Sequence, residues 1–196
     1  MRTLFPILLT AALALPLALP APAAQGSVVR ALSMEQLVQR ADHIVLAVAE
    51  EKQSRRHHDG RMIVTDVSLR VEQVLKGKAK AGSVLIATCL GGKLETVALQ
   101  VPGEATFALG ERAVVFLRTQ DDGQLRVVGM SQGMMPVAQQ AQTTMVIPGG
   151  SHAALVEQDA ETGKLEPAKP ALVAPTPLTS VLSEIAALVA RQQGAR

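Results

Sequence analysis

Ile63-Val64-Thr65-Asp66-Val67-Ser68-Leu69-Arg70-Val71-Glu72 decides how this chain folds. In an extended backbone Ile63, Thr65, Val67, Leu69 and Val71 fall on one side. Val64, Asp66, Ser68, Arg70 and Glu72 fall on the other. A period of two marks a strand with one buried face and one mostly wet face. Before it, residues 43–50 are apolar and rich in Val and Ile, and a polar stretch, residues 51–61, carries the hairpin pair Asp59-Gly60. After it, Gly77 and Gly82 mark a turn, and residues 83–90 form the next strand, ended by Gly91-Gly92. Residues 94–101 read as a short strand stopped by Pro102-Gly103. Residues 113–117 are apolar on both faces and read as a central strand, and Asp122-Gly123 turns the chain into residues 124–128. About six short strands separated by turn residues predict a mainly β, closed or sandwiched domain over residues 33–137.

Two helices flank this pattern. Ser33 and Gln36 fit a capping box and Leu32 with Leu37 fits its hydrophobic staple, so a helix is expected to run to about Ala41. Near the other end Thr176 is placed to cap a helix with Pro177 at its first position. Leu178, Val181, Leu182, Ile185, Leu188 and Val189 make one apolar stripe at helical spacing over residues 177–192. The stripe calls for cover, from the chain's own β domain or from a second copy through self-association. Between domain and helix, residues 138–176 are rich in Gln, Gly and Pro and read as a linker.

The first 24 residues concern address. Arg2 is followed by a 16-residue run, Leu4 to Leu19, that is apolar but broken by Pro6 and Pro16, and then by Ala21-Pro22-Ala23-Ala24. These are the parts of a secretory signal peptide, and the run falls short of the roughly 20 residues a spanning helix needs. The expectation is export to the periplasm or the extracellular space, with no stable membrane insertion after cleavage. Arg2 is the one charge lost, leaving 18 basic and 17 acidic residues. That balance does not indicate nucleic acid or an anionic membrane surface. With no Trp, no Tyr and only Phe107 and Phe116 beyond the leader, the stacking platforms of sugar and single-strand sites are missing.

Four groups of residues could carry chemistry. Gly129-Met130-Ser131-Gln132-Gly133 matches G-x-S-x-G, which in a serine hydrolase joins a strand to a helix. Here Gly133 and Pro136 interrupt any such helix, and His152, the only downstream histidine, precedes Asp159. A serine hydrolase through Ser131 is therefore the weaker alternative, and the expectation is no enzyme. Arg55, Arg56, His57, His58 and Asp59 form a polar hairpin tip and are the candidate binding residues. Adjacent histidines on a strand point to opposite faces but in a loop can converge. No Cys/His spacing resembles a zinc site, so no metal ligands and no cofactor are assigned. Met130, Met134, Met135 and Met145 suggest core filling, with Cu(I) handling in the periplasm as the alternative. Cys89 cannot pair within the chain and reads as a buried small hydrophobe.

Val71-Glu72-Gln73-Val74-Leu75-Lys76-Gly77, a following strand, and Gly110-Glu111-Arg112-Ala113-Val114-Val115-Phe116-Leu117 together resemble uncharacterised bacterial exported modules that carry a helix like Leu37–Asp42 ahead of the first strand. More remotely the arrangement is similar to netrin-like domains, the OB-type barrels of tissue metalloproteinase inhibitors. The resemblance covers residues 33–132 and implies a small OB-like, Greek-key barrel. Netrin-like inhibitors use an N-terminal cysteine and framework disulfides. This chain has neither, so no functional residue carries over. The expected function is an exported, non-catalytic protein-binding module whose partner is an envelope or extracellular protein.

Overall fold

The computed structural model describes residues 28–149 and 153–194. The signal-peptide reading of residues 1–24 lies outside them. The elements in chain order are β1 (Val28–Arg30), α1 (Met34–Arg40), β2 (His43–Arg56), β3 (Ile63–Lys76), β4 (Val84–Leu90), β5 (Gly92–Leu94), β6 (Val97–Leu99), β7 (Arg112–Thr119), β8 (Leu125–Val127), β9 (Met134–Gln140), β10 (Thr143–Val146), β11 (Ala154–Gln158), β12 (Leu165–Pro167), β13 (Thr176–Pro177) and α2 (Leu178–Gly194). A 3₁₀ turn, Met130–Gly133, links β8 to β9.

Five strands close a barrel. β2 pairs with β3, β3 with β4, β4 with β8, β8 with β7, and β7 with β2. Numbered along the chain, the ring runs 1-2-3-5-4, and every contact is antiparallel except the parallel one between β4 and β8. This is the OB-like Greek-key barrel that was expected. It has five strands rather than six because residues 94–101 do not run straight. Glu95 sits at φ 42°, and the chain reverses into the small β5–β6 hairpin. Residues 51–56, expected as part of a polar connection, instead prolong β2 as far as Arg56↔Ile63.

The wall made by β2 and β7 is buried on both sides. Val45, Ala47, Ala49, Val115 and Leu117 face the barrel interior with Val67, Leu69 and Phe107. Ile44, Leu46, Val114 and Phe116 face outward into a second core formed with α1 and α2. Alternation along each strand supplies the two faces. The α1 capping box forms as read, with Gln36 N–H donating to Ser33 Oγ at 3.2 Å and Ser33 N–H to Gln36 Oε1 at 3.0 Å. Leu32 and Leu37, the staple pair, are both buried. The α2 stripe is covered by the chain itself: Leu178, Val181, Ile185, Leu188 and Val189 all lie in the outer core. The helix begins at Leu178, and the Thr176 hydroxyl donates to Ala174 O at 3.0 Å instead of capping it.

The stretch expected as a linker, residues 138–176, is a correction. It holds the end of β9, all of β10, β11 and β12, and the first residue of β13. β9 pairs with the free part of β7's edge, and β10 and β13 extend that sheet. β11 pairs with β1 and β12 in a separate three-stranded sheet. Composition concealed these strands because they are mostly solvated. Val146 is the buried anchor of β10, whereas the Gln-rich end of β9 is exposed. No helix among the described residues is long and apolar enough to cross a membrane.

Candidate functional site

One end of the barrel gathers the turns between its first and second strands and between its fourth and fifth. Both turns use the same local chemistry. In the β2–β3 turn Arg61 N–H donates to Asp59 Oδ1 at 2.9 Å, and Gly60 adopts φ +71°. In the β7–β8 turn Gln124 N–H donates to Asp122 Oδ1 at 3.0 Å, followed by Gly123 in the same region. An aspartate that bonds the backbone two residues on, followed by a glycine free to take positive φ, is a compact reversal. These turns, and the outer face of the second and third strands, are where OB barrels hold ligands.

The five tip residues singled out by sequence are not one unit. Arg55 turns toward the barrel wall, with Nε 2.6 Å from Asp66 Oδ2 and Nη2 3.1 Å from Oδ1. Thr88 Oγ1 donates to the same carboxylate at 2.8 Å. Burial works against the charge on Asp66, but the bonds from Arg55 and Thr88 outweigh it and hold the carboxyl below its usual value. Arg56 is exposed. His57 and His58 do come together, their ring centroids 3.9 Å apart and tilted by 47°. Asp59 Oδ1 lies 3.2 Å from His57 Nδ1. Asp122 from the other turn joins them. One ligand atom from each of His57, His58 and Asp122 lies within 4.8 Å of the others. Asp122 is 64 residues away from His58, so no sequence pattern links them; ring closure does.

Among the described residues, nothing gives the outer face of β3 and β4 the cover that the helices give to the opposite wall. Val84 and Ile86 are 52% and 55% exposed there, opposite Arg70 and Ser68. A cleft of about 410 Å³ lies on the inner side of the same strands, where Thr65, Val67 and Cys89 meet the segment from Gly91 to Phe107. In it burial pushes the Glu104 carboxyl up, against the opposing pull of the Ala105 and Leu90 amides and Arg126. Burial also pushes the Cys89 thiol up to about 12, which keeps it a protonated, unreactive core group.

The G-x-S-x-G segment is a fastening. The left-handed positions are Gly129 (φ 65°) and Met130 (φ 62°), and the turn returns to a strand, β9. A Cβ on Gly133 would run into the Val128 carbonyl oxygen, so close backbone approach requires the glycine. Gln132 reaches back to the start of the domain. Its Oε1 accepts Leu32 N–H at 2.8 Å, and its Nε2 donates to Arg30 O at 3.0 Å. Ser131 is buried, and its Oγ has no hydrogen-bond partner among the described residues. Gln132→Ala is expected to cost about 1–3 kcal/mol, because it strands a buried amide, whereas Ser131→Ala should leave stability unchanged or raise it by about 1 kcal/mol. Urea unfolding of the two variants checks this, and a neutral Gln132→Ala would remove the fastening role. Met134 and Met135, adjacent on β9, enter different cores, one inside the barrel and one under the helices, so these two thioethers do not converge on one ion.

No protein-family model matches this sequence, and comparison with curated proteins gives no match either.

Proposed function

We infer that the chain is an exported, non-catalytic module that binds a protein of the cell envelope or the extracellular medium. The observation that carries this reading is the β3–β4 wall, uncovered among the described residues, where Val84 and Ile86 lie exposed on the strand face that OB barrels use for ligands. Its opposite wall is sealed by α1 and α2. The barrel itself is a rigid frame, and its turns are the adaptable parts, the usual division of labour in binding proteins. An aliphatic pair flanked by Arg70 and the Arg55–Asp66 pair suits a protein surface. Oligonucleotides and sugars ask for aromatic platforms, and both phenylalanines of the domain are buried.

A photo-crosslinking side chain at position 86 tests this in native envelope and culture supernatant, with one at exposed position 184 on α2 as the control. The expected result is one dominant adduct from position 86, absent from position 184 and abolished by Val84→Asp, while Glu184→Lys leaves it intact. No adduct from position 86, or one indifferent to Val84→Asp, overturns the reading.

A further inference from the structure

Two turns far apart in sequence place two imidazoles and a carboxylate at one point. His57 and His58 follow β2, Asp122 follows β7, and their three ligand atoms lie within 4.8 Å of one another. His57 is mostly enclosed, its side chain 13% exposed, and its Nε2 is buried with no hydrogen-bond partner among the described residues. His58 and Asp122 are exposed, and Asp122 Oδ1 also accepts the Gln124 N–H at 3.0 Å. We propose that His57, His58 and Asp122 form a binding site for a divalent transition-metal ion of the imidazole-preferring class, with Zn²⁺ as its representative.

The donor set selects the ion. Imidazole nitrogen suits zinc, copper and nickel, whereas calcium and magnesium ask for six or more oxygens. Tetrahedral zinc with bonds of about 2.0–2.2 Å places its ligand atoms roughly 3.3–3.6 Å apart, so the set closes by about an ångström around the ion. Rotation of the exposed His58 side chain and a small shift of the two turns supply that movement. Asp59 provides the outer support. Its Oδ1 stands 3.2 Å from His57 Nδ1, close enough for a small turn of the ring to make the carboxylate–imidazole bond that steadies a metal-bound histidine. Arg55 is already committed to Asp66, and Arg56, next to His57, is exposed to solvent. Asp59 and Asp122 bring negative charge to the site, against Arg56 and Arg61 in the same turn. Three protein ligands leave a fourth position open to water or to a donor from a partner. The ion would tie the two barrel turns together across the closed end, and it stands independently of the protein partner proposed above.

The test is calorimetric titration of the chelator-treated chain with ZnCl₂ and with CaCl₂, alongside His58→Ala, Asp122→Asn and Asp59→Asn. The expected result is one zinc per chain and no calcium. Affinity should fall at least tenfold in His58→Ala and in Asp122→Asn, and by a smaller factor in Asp59→Asn. Zinc should raise the melting temperature of the parent chain but not that of His58→Ala. Both ligand substitutions sit at exposed turns, so the metal-free variants should melt with the parent chain. Absence of zinc binding, or zinc held equally well by the ligand variants, overturns the site.

Discussion

Deletion of residues 178–194 is expected to unfold the whole chain rather than trim an appendage. α2 inserts Leu178, Val181, Ile185, Leu188 and Val189 into the core it shares with α1, β2 and β7. At about 1.5–3 kcal/mol per buried aliphatic side chain, their loss removes roughly 7–15 kcal/mol. That equals the entire stability of a typical domain, about 5–15 kcal/mol. The deletion also bares Ile44, Leu46, Val114 and Phe116 to water. The graded version is Ile185→Ala, which should cost about 2–5 kcal/mol, against less than about 0.5 kcal/mol for Glu184→Ala on the exposed face. Urea midpoints with an unchanged slope measure both. A deletion variant that still melts cooperatively near the parent temperature would show that α2 is not part of this core.

Phe116→Ala carries the second largest effect, about 3–5 kcal/mol. Phe116 has no exposed surface and lies in the outer core with Phe-free, aliphatic neighbours that cannot collapse to fill a large void. For a domain of this size that loss lowers the melting temperature by about 6–20 °C. Its neighbour Leu117 faces the barrel interior, so Leu117→Ala probes the other core, at about 2–5 kcal/mol. Thermal melts of both variants read the two cores separately. A Phe116→Ala loss below about 1 kcal/mol would mean that the helices rest loosely on the barrel.

Elements with a strong local signal were legible. The period of two in residues 63–72, the doubly apolar run at 113–117, the Ser33 capping box and the Asp59-Gly60 and Asp122-Gly123 turns all appear where the residues place them. In each case the chain's own neighbours settle the conformation. β10 to β13 were not legible, because they are short, largely solvated and held by pairing with distant strands, which leaves no periodic apolar face to read. The candidate site divides the same way. Sequence marked His57, His58 and Asp59, which share a turn. It missed Asp122 and the exposed Val84 and Ile86, whose meaning depends on what lies beside or over them.

By itself the sequence determined a mainly β domain with two helices, few aromatics, no internal disulfide and almost no net charge. Those are properties of composition and short-range pattern. Only the tertiary structure decided three further things: that the terminal stripe is consumed by the chain's own barrel, that one wall of that barrel stays uncovered, and that two turns bring histidines and an aspartate together. Each of these depends on which segments, dozens of residues apart, come into contact and which do not. Such contacts are set by strand pairing and barrel closure, which no local spacing encodes.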